Sequence, residues 1–212
     1  IGAEVEEIYC DVDGNFPNHH PDPSDPNNLV DLINLVKHTG ADIGLAFDGD
    51  GDRLGVVTAQ GEVIYPDQIL MLFAQYVLTR NPGAAIIYDV KCTGAWQGHI
   101  LRHGGSPIMW KTGHSLIKAK MKETHAELAG EMSGHFFFAE RWFGFDDGIY
   151  AAARLLEILA AAPEGIQAVF DELPKLFSTP ELKIELQEGE QHAFIEEFLS
   201  KATFDGARIN TI

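Results

Sequence analysis

Between Pro66 and Ala161, apolar runs of strand length alternate with segments whose apolar residues recur at helical spacing, and nothing else in the sequence restricts the fold as much. Pro66 and Asp67 suit a helix N-terminus, Ile69 to Leu78 supply its apolar face, and Asn81-Pro82-Gly83 stops it. Ala85 to Tyr88 reads as a strand, Ala95 to Arg102 as a helix and Pro107 to Trp110 as a strand. Ser115 reads as the cap of a helix running to Thr124. Leu128 to Glu131 is a short strand, His135 to Phe143 an aromatic strand, and Asp147 to Ala161 an Ala/Leu-rich helix. A chain patterned in this way folds as α/β, an open sheet flanked by helices.

The flanking regions read less regularly. Glu7 to Cys10 looks like a strand end, and it leads into Asp11 to Asn28, which holds too many Pro, Asn, Asp and His residues for a regular element. Leu29, Leu32, Ile33 and Val36 give a helix that Gly40 ends. Ala41 to Phe47 reads as a buried strand, Leu54 to Thr58 as the next, and Gly61-Glu62 as a turn. Beyond Pro163 the sequence predicts a helix over Ile166 to Leu173, a linker at Ser178-Thr179-Pro180, a strand over Leu182 to Leu186 and a helix over Ala193 to Ser200.

A hydrophobic share of 45% over 212 residues suffices for one good core or two small ones. The 32 acidic against 15 basic residues give a formal charge of -17, which repels phosphate backbones and anionic lipid, so nucleic-acid and membrane partners are not expected. A small phosphorylated ligand stays open, because a bound cation with a few Lys, Arg and His side chains makes a local positive spot. Cys10 and Cys92 make no disulfide framework. No apolar run reaches the roughly 18–20 residues of a bilayer span, and no signal segment is visible, so the expected location is cytoplasmic. The opening Ile1-Gly2-Ala3 reads as a start inside a domain.

Asp48-Gly49-Asp50-Gly51-Asp52-Arg53 carries the most chemistry. Carboxylates at i, i+2 and i+4 converge only if the backbone curls, which Gly49 and Gly51 allow. Their mutual repulsion is offset by a divalent cation, and an all-oxygen set favours Mg²⁺ or Ca²⁺. Asp48, Asp50 and Asp52 are the candidate ligands, and Arg53 is placed to hold a phosphate beside the metal. An EF-hand fails, since Arg53 stands where its glycine belongs and Ala59 where its bidentate glutamate belongs. An aspartyl-nucleophile phosphatase remains as an alternative, with Asp48 attacking, Asp50 as acid/base, and Asp146-Asp147 and Lys111 in the supporting roles. Against it, Asp52 and Arg53 replace the small hydroxylated and aliphatic residues of that class. A solvated acidic turn is the plainest alternative.

Gly130-Glu131-Met132-Ser133-Gly134-His135 offers a carboxylate, a hydroxyl and an imidazole on one loop, a set that fits either vicinal sugar hydroxyls or a plain polar turn. Lys111-Thr112-Gly113-His114 precedes a helix, where anions collect, and Lys91 lies just beyond the strand at Ala85 to Tyr88. Taken singly, these lysines read as solvated surface residues. The three loops follow strands of one alternating region and are placed to share a sheet edge. His99 with His103, and His19 with His20, are read as surface histidines rather than zinc ligands for want of a third ligand. The aromatic run from Phe136 through Trp142-Phe143 is read as core.

Taken in order, the segments Asp48 to Arg53, Lys111 to His114 and Gly130 to His135 resemble the α-D-phosphohexomutase superfamily, the last two its bacterial phosphomannomutase/phosphoglucomutase branch. The resemblance spans nearly the whole chain, Asp13 to Pro21 included. It implies open mixed sheets flanked by helices, as in that family's second and third domains. Residues 1–61 would be the latter part of domain 2, residues 62–175 a complete domain 3, and residues 176–212 a linker and the start of domain 4. It also implies Mg²⁺ on Asp48, Asp50 and Asp52, and Arg53 beside a phosphoserine. Glu131 and Ser133 would hold sugar hydroxyls, and Lys91, Lys111, His114 and His135 would meet a phosphorylated hexose, with Arg53, Lys91, His114 and His135 the implied catalytic set.

The implied reaction interconverts hexose 6-phosphate and hexose 1-phosphate through phosphoserine and a glucose or mannose 1,6-bisphosphate intermediate-activator. The family's Thr-Ala-Ser-His-Asn-Pro and Arg-x-Ser-Asn-Thr loops do not occur in these residues, and Gly94 replaces a basic residue of close relatives. The expected partners are therefore the remaining domains of the same enzyme, and the chain alone is expected to lack turnover. A metal- or sugar-binding module without catalysis is the non-enzymatic alternative.

Overall fold

The computed structural model of the chain describes residues 2–174, 184–203 and 206. The chain divides into two compact units, Ile1–Pro174 and Lys175–Ile212. In the first, a single 3-10 turn at Pro26–Leu29 leads into α1 (Val30–Thr39), which Gly40 closes in the left-handed conformation. A three-stranded antiparallel sheet follows, made of β1 (Ile43–Phe47), β2 (Leu54–Thr58) and β3 (Val63–Ile64) in that order. The central strand β2 is buried throughout. β1 is an edge strand, so only Gly44 of it is buried and Phe47 is 40% exposed, which corrects the buried strand expected there.

The second sheet has the order β5-β4-β6-β7. Its members are β4 (Ala85–Asp89), β5 (Ser106–Trp110), β6 (Leu128–Gly130) and β7 (Phe136–Phe138); β4 is parallel to β5 and β6, and β7 runs antiparallel to β6. The α/β fold is thus a mixed open sheet with helices on its faces. Side chains alternate across it as strand geometry requires. Ile86, Tyr88, Leu128, Phe136 and Phe138 enter one core with α2 (Pro66–Arg80), α3 (Trp96–Arg102) and α5 (Gly148–Ala160). Ile87, Ala129 and Phe137 enter a second core with Ile117 and Met121 of α4 (His114–Thr124). Phe73 of α2 meets Phe136 and Phe138 edge-to-face with centroids 5.2 and 5.0 Å away, pairings worth about 0.5–1.5 kcal/mol beyond their burial. The first core also takes Leu54 and Val56 of β2, so the two sheets share apolar packing. The expected division at 61/62 falls between β2 and its partner β3.

Several local expectations change. Glu7 to Cys10 forms no strand, since Tyr9 sits at a φ of 54° that extended chain does not adopt. Ser115 lies inside the first turn of α4, and Gly113 holds the cap position. The aromatic strand stops at Phe138, where Ala139 and Glu140 both donate to the Glu127 carbonyl and Gly144 turns back onto Phe138. Trp142 and Phe143 are therefore exposed, Phe143 by 78%, and are not core. α6 (Ile166–Asp171) follows α5. In the second unit, α7 (Gln191–Lys201) is the helix expected over Ala193 to Ser200. The linker at Ser178-Thr179-Pro180 and Leu182 lie outside the described residues, and 184–186 form no strand.

Candidate functional site

Asp48 to Arg53 connects β1 to β2, with Phe47 opposite Leu54. It is a hairpin loop rather than a crossover at a parallel edge. Gly51 turns it at a φ of 76°, a conformation that costs other residues strain. Gly49 needs no such freedom; a Cβ there would come 2.9 Å from Phe16 Cζ. Asp48 knots the loop, its Oδ1 accepting from the backbone N–H groups of Asp52 and Arg53 at 3.0 and 3.1 Å, and its Oδ2 from Arg53 Nε at 2.7 Å. Arg53 also reaches Asp22 Oδ1 at 2.9 Å, so two carboxylates hold the guanidinium.

Oxygens of Asp48, Asp50 and Asp52 lie within 4.8 Å of one another. Burial works against the Asp48 carboxylate, but the hydrogen bonds from Arg53 outweigh it and leave its pKa below the ordinary value. Asp52 behaves oppositely: burial and the charges of Asp48 and Asp50 outweigh the pull of His135 and push it up to about 6. Its Oδ1 is buried without a hydrogen-bond partner. An orphaned carboxylate oxygen, repelled by its neighbours in an all-oxygen set, fits a hard divalent cation.

The loops after β4, β5 and β6 leave the second sheet at the same edge, because these strands are parallel with Asp89 opposite Trp110 and Tyr88 opposite Gly130. Lys91, Lys111 and His114 are exposed there. Glu131 is 1% exposed. Its Oε1 accepts from the Gly113 N–H in a short contact and its Oε2 lies 3.1 Å from His135 Nδ1, so it supports the loop from below rather than facing outward. Ser133 Oγ stands 2.8 Å from the same Nδ1.

His135 joins the two sheets' loops. Its backbone bridges Arg53, Leu54 N–H donates to the Gly134 carbonyl at 3.1 Å, and its Nε2 stands 3.4 Å from Asp52 Oδ1. Burial opposes the imidazolium, yet the hydrogen bond with Glu131 and the charges of Asp52, Glu131 and Asp146 raise its pKa. His114 lies alongside at 6.0 Å between ring centroids, the planes 18° apart. Asp48, Asp50, Asp52, Arg53, His114, Glu131, Ser133 and His135 are thus brought together, with Lys91 and Lys111 on the neighbouring loop edge.

Three residues of this neighbourhood, Lys118, Asp22 and Gly148, escape a reading of the sequence, and a fourth, Asp146, enters it only in the phosphatase alternative. Asp146 accepts from Lys118 Nζ at 2.8 Å and lies 3.4 Å from His114 Nδ1; with Asp52 and His135 it forms a second close trio of ligand atoms. Lys118 lies one helical turn after His114, a signal that becomes informative only once His114 is a site residue. Asp22 sits in the Pro-rich loop, and Gly148 begins α5 with its N–H 3.0 Å from the Gly51 carbonyl. The phosphatase reading finds little here: both oxygens of Asp48 are engaged, Asp146 pairs with Lys118 rather than Lys111, and Asp147 caps α5 through Tyr150 N–H. His99 is buried rather than on the surface, its Nε2 3.1 Å from the Met71 carbonyl and the His103 Nδ1 2.9 Å from its own carbonyl, so both rings serve backbone.

Residues 1–61 match the family model described as phosphoglucomutase/phosphomannomutase, alpha/beta/alpha domain II, and residues 65–177 match that of alpha/beta/alpha domain III. The chain is 58% identical over 212 residues to a phosphomannomutase/phosphoglucomutase of Pseudomonas putida, covering all of this chain and 46% of that one. It is 63% identical over 208 residues to a phosphoglucomutase of Neisseria gonorrhoeae, covering 98% of this chain and 45% of that one. A crystal structure of a phosphoglucomutase/phosphomannomutase family protein from Burkholderia thailandensis superposes with a TM-score of 0.89 at 58% identity, covering 96% of this chain and 43% of that one. The chain thus spans about half the length of the curated relatives it matches. Among the described residues no helix is long and apolar enough to cross a membrane. With two domain models matched in order and close relatives across its full length, this chain belongs to the phosphoglucomutase/phosphomannomutase family.

Proposed function

We propose that this chain is the metal-binding and sugar-selecting part of a phosphomannomutase/phosphoglucomutase that interconverts hexose 6-phosphates and hexose 1-phosphates in the cytoplasm. One observation carries the reading: His135 stands between Glu131 at 3.1 Å and Asp52 at 3.4 Å, so a sugar held by one loop lies beside a cation held by the other. Residues 1–61 would be the latter part of a second domain, residues 62–175 a third, and residues 176–212 a linker and the opening of a fourth. Partner domains would supply the phosphoserine.

Asp48, Asp50 and Asp52 would hold Mg²⁺, which when bound neutralises charge on the transferring phosphoryl group. Arg53 adds fixed positive charge beside that loop, and its ties to Asp48 and Asp22 keep it placed. Ser133 and His135 would face the sugar 3- and 4-hydroxyls, with the buried Glu131 orienting His135 through Nδ1. These hydroxyls occupy similar places when the ring is flipped, so one loop serves both halves of the reaction. Glucose and mannose differ at the 2-hydroxyl, which such a loop does not read. Lys91, Lys111 and His114 would take the distal phosphate, His114 offering an N–H that Lys118 and Asp146 orient.

In the full-length enzyme, Glu131→Ala is expected to lower kcat/KM for glucose 1-phosphate and mannose 1-phosphate alike, by about 1–3 kcal/mol of lost binding. Unchanged kinetics with both sugars would remove the sugar-loop assignment.

A further inference from the structure

Asp89 is fully buried at the end of β4, the strand flanked by β5 and β6. Its Oδ1 accepts from Cys92 Sγ–H at 2.9 Å and from the Met132 backbone N–H at 3.2 Å, and its Oδ2 from Thr112 Oγ–H at 2.8 Å. Each donor belongs to a different loop. Cys92 follows Lys91, Thr112 lies between Lys111 and His114, and Met132 lies between Glu131 and Ser133. A second buried acid, Asp67 at the start of α2, accepts from the Thr93 N–H at 3.1 Å and holds the first of these loops from its other side.

A carboxylate in such a place costs free energy that an apolar residue of similar size would avoid, so stability alone does not account for it. What it alone offers is about four lone-pair sites on two fixed oxygens, enough to accept from three loops at once. No surface of Asp89 reaches solvent, so it touches no substrate. We infer that Asp89 is the positioning residue that sets the relative placement of the three substrate loops, and thereby the geometry in which phosphate and sugar contacts act together. The inference rests on the sugar-loop reading above.

The test uses the full-length enzyme with Asp89→Leu, Asp89→Asn and Thr112→Val, and Glu131→Ala as the reference for that reading. Leucine keeps the branching and the number of heavy atoms, at a larger volume, and loses every acceptor. Asparagine keeps them all in kind, its oxygen for Met132 and Cys92 and its amide N–H for the Thr112 oxygen, which accepts as readily as it donates. Valine releases one loop only. The expected result is a rise in KM for glucose 1-phosphate of about tenfold, up to about a hundredfold, in Asp89→Leu. A smaller rise is expected in Thr112→Val, and a return toward the wild-type value in Asp89→Asn. A purely structural residue would lower Tm and leave the KM of the folded molecules unchanged. If Asp89→Leu does not fold, Thr112→Val decides: a raised KM at native Tm supports the inference and an unchanged KM overturns it. Unchanged KM in both variants while Glu131→Ala raises it overturns this inference alone. Unchanged kinetics in Glu131→Ala as well overturns the sugar-loop reading and this inference with it.

Discussion

His135 Nε2 stands 3.4 Å from Asp52 Oδ1, across the backbone bridge that ties the β1–β2 loop to the β6–β7 loop. The proximity lets a site on one sheet sense a charge on the other. His135 stabilises the Asp52 anion, Asp52 the imidazolium, and neither fully satisfies the other, since Asp52 Oδ1 lacks a hydrogen-bond donor.

Asp52, raised to about 6, sets a pH dependence. A raised pKa contributes stability that is complete below the ordinary value of 3.8 and is lost as pH rises through about 6. A divalent cation needs the ionised form and reverses that loss. Mg²⁺ is therefore expected to raise Tm more at pH 8 than at pH 5; at pH 8 and a hundred times its Kd the gain corresponds to about 2.7 kcal/mol. Thermal melts with Mg²⁺ and with chelator at the two pH values measure this; equal shifts would count against the assignment of Asp52.

Gly148→Ala is expected to destabilise, against the usual gain. Alanine improves a helix by up to about 1 kcal/mol over glycine. Here its Cβ would stand 2.7 Å from the Arg53 carbonyl oxygen and 2.8 Å from that of Gly51, backbone atoms that cannot rotate away. The overlap costs about 1–3 kcal/mol, so it wins, and the loop from Asp48 to Arg53 is displaced with it. Urea denaturation and a Mg²⁺ titration should show lower stability and weaker binding together.

Asp146→Asn probes the Lys118 pair. Burial would raise the Asp146 pKa, but the Lys118 hydrogen bond and charge outweigh it, and the net value lies below 3.8. A lowered pKa contributes stability present above the ordinary value and lost as pH falls through the folded one. The variant should lose about 1–2 kcal/mol at pH 7, and its gap to the wild type should narrow as pH falls below 3.8, as equilibrium unfolding across that range would report.

Arg154 is 2% exposed, with Nη2 at 2.6 Å from Glu140 Oε2 and its guanidinium 4.6 Å from the Phe138 ring centroid. Arg154→Met leaves Glu140 buried with Arg80, at 3.7 Å, as the remaining cation near its other oxygen among the described residues. The single change is expected to cost about 3–5 kcal/mol and Arg154→Met/Glu140→Leu less, because the double variant strands no charge. Denaturant unfolding of the pair measures the difference, and additive costs would contradict the buried pairing.

Much of this was legible in the residues alone. Apolar periodicity marked α1, α2, β4, β5 and α5 because burial imposes a spacing on each element separately. The Asp-Gly alternation of 48–52 marked a loop of converging carboxylates, because residues two apart in a tight turn are brought together locally. The three lysine- and glutamate-bearing loops share an edge because parallel strands end together. Tertiary structure decided what each polar group meets. The pairing of Asp22 with Arg53, the burial of Glu131 under Gly113 and His135, and the hold of Asp89 on three loops join residues far apart in sequence, and periodicity carries no record of a distant partner. The same limit hid the hairpin setting of the loop from Asp48 to Arg53 and the end of β7 at Phe138, since both depend on which strand lies alongside rather than on the strand's own residues.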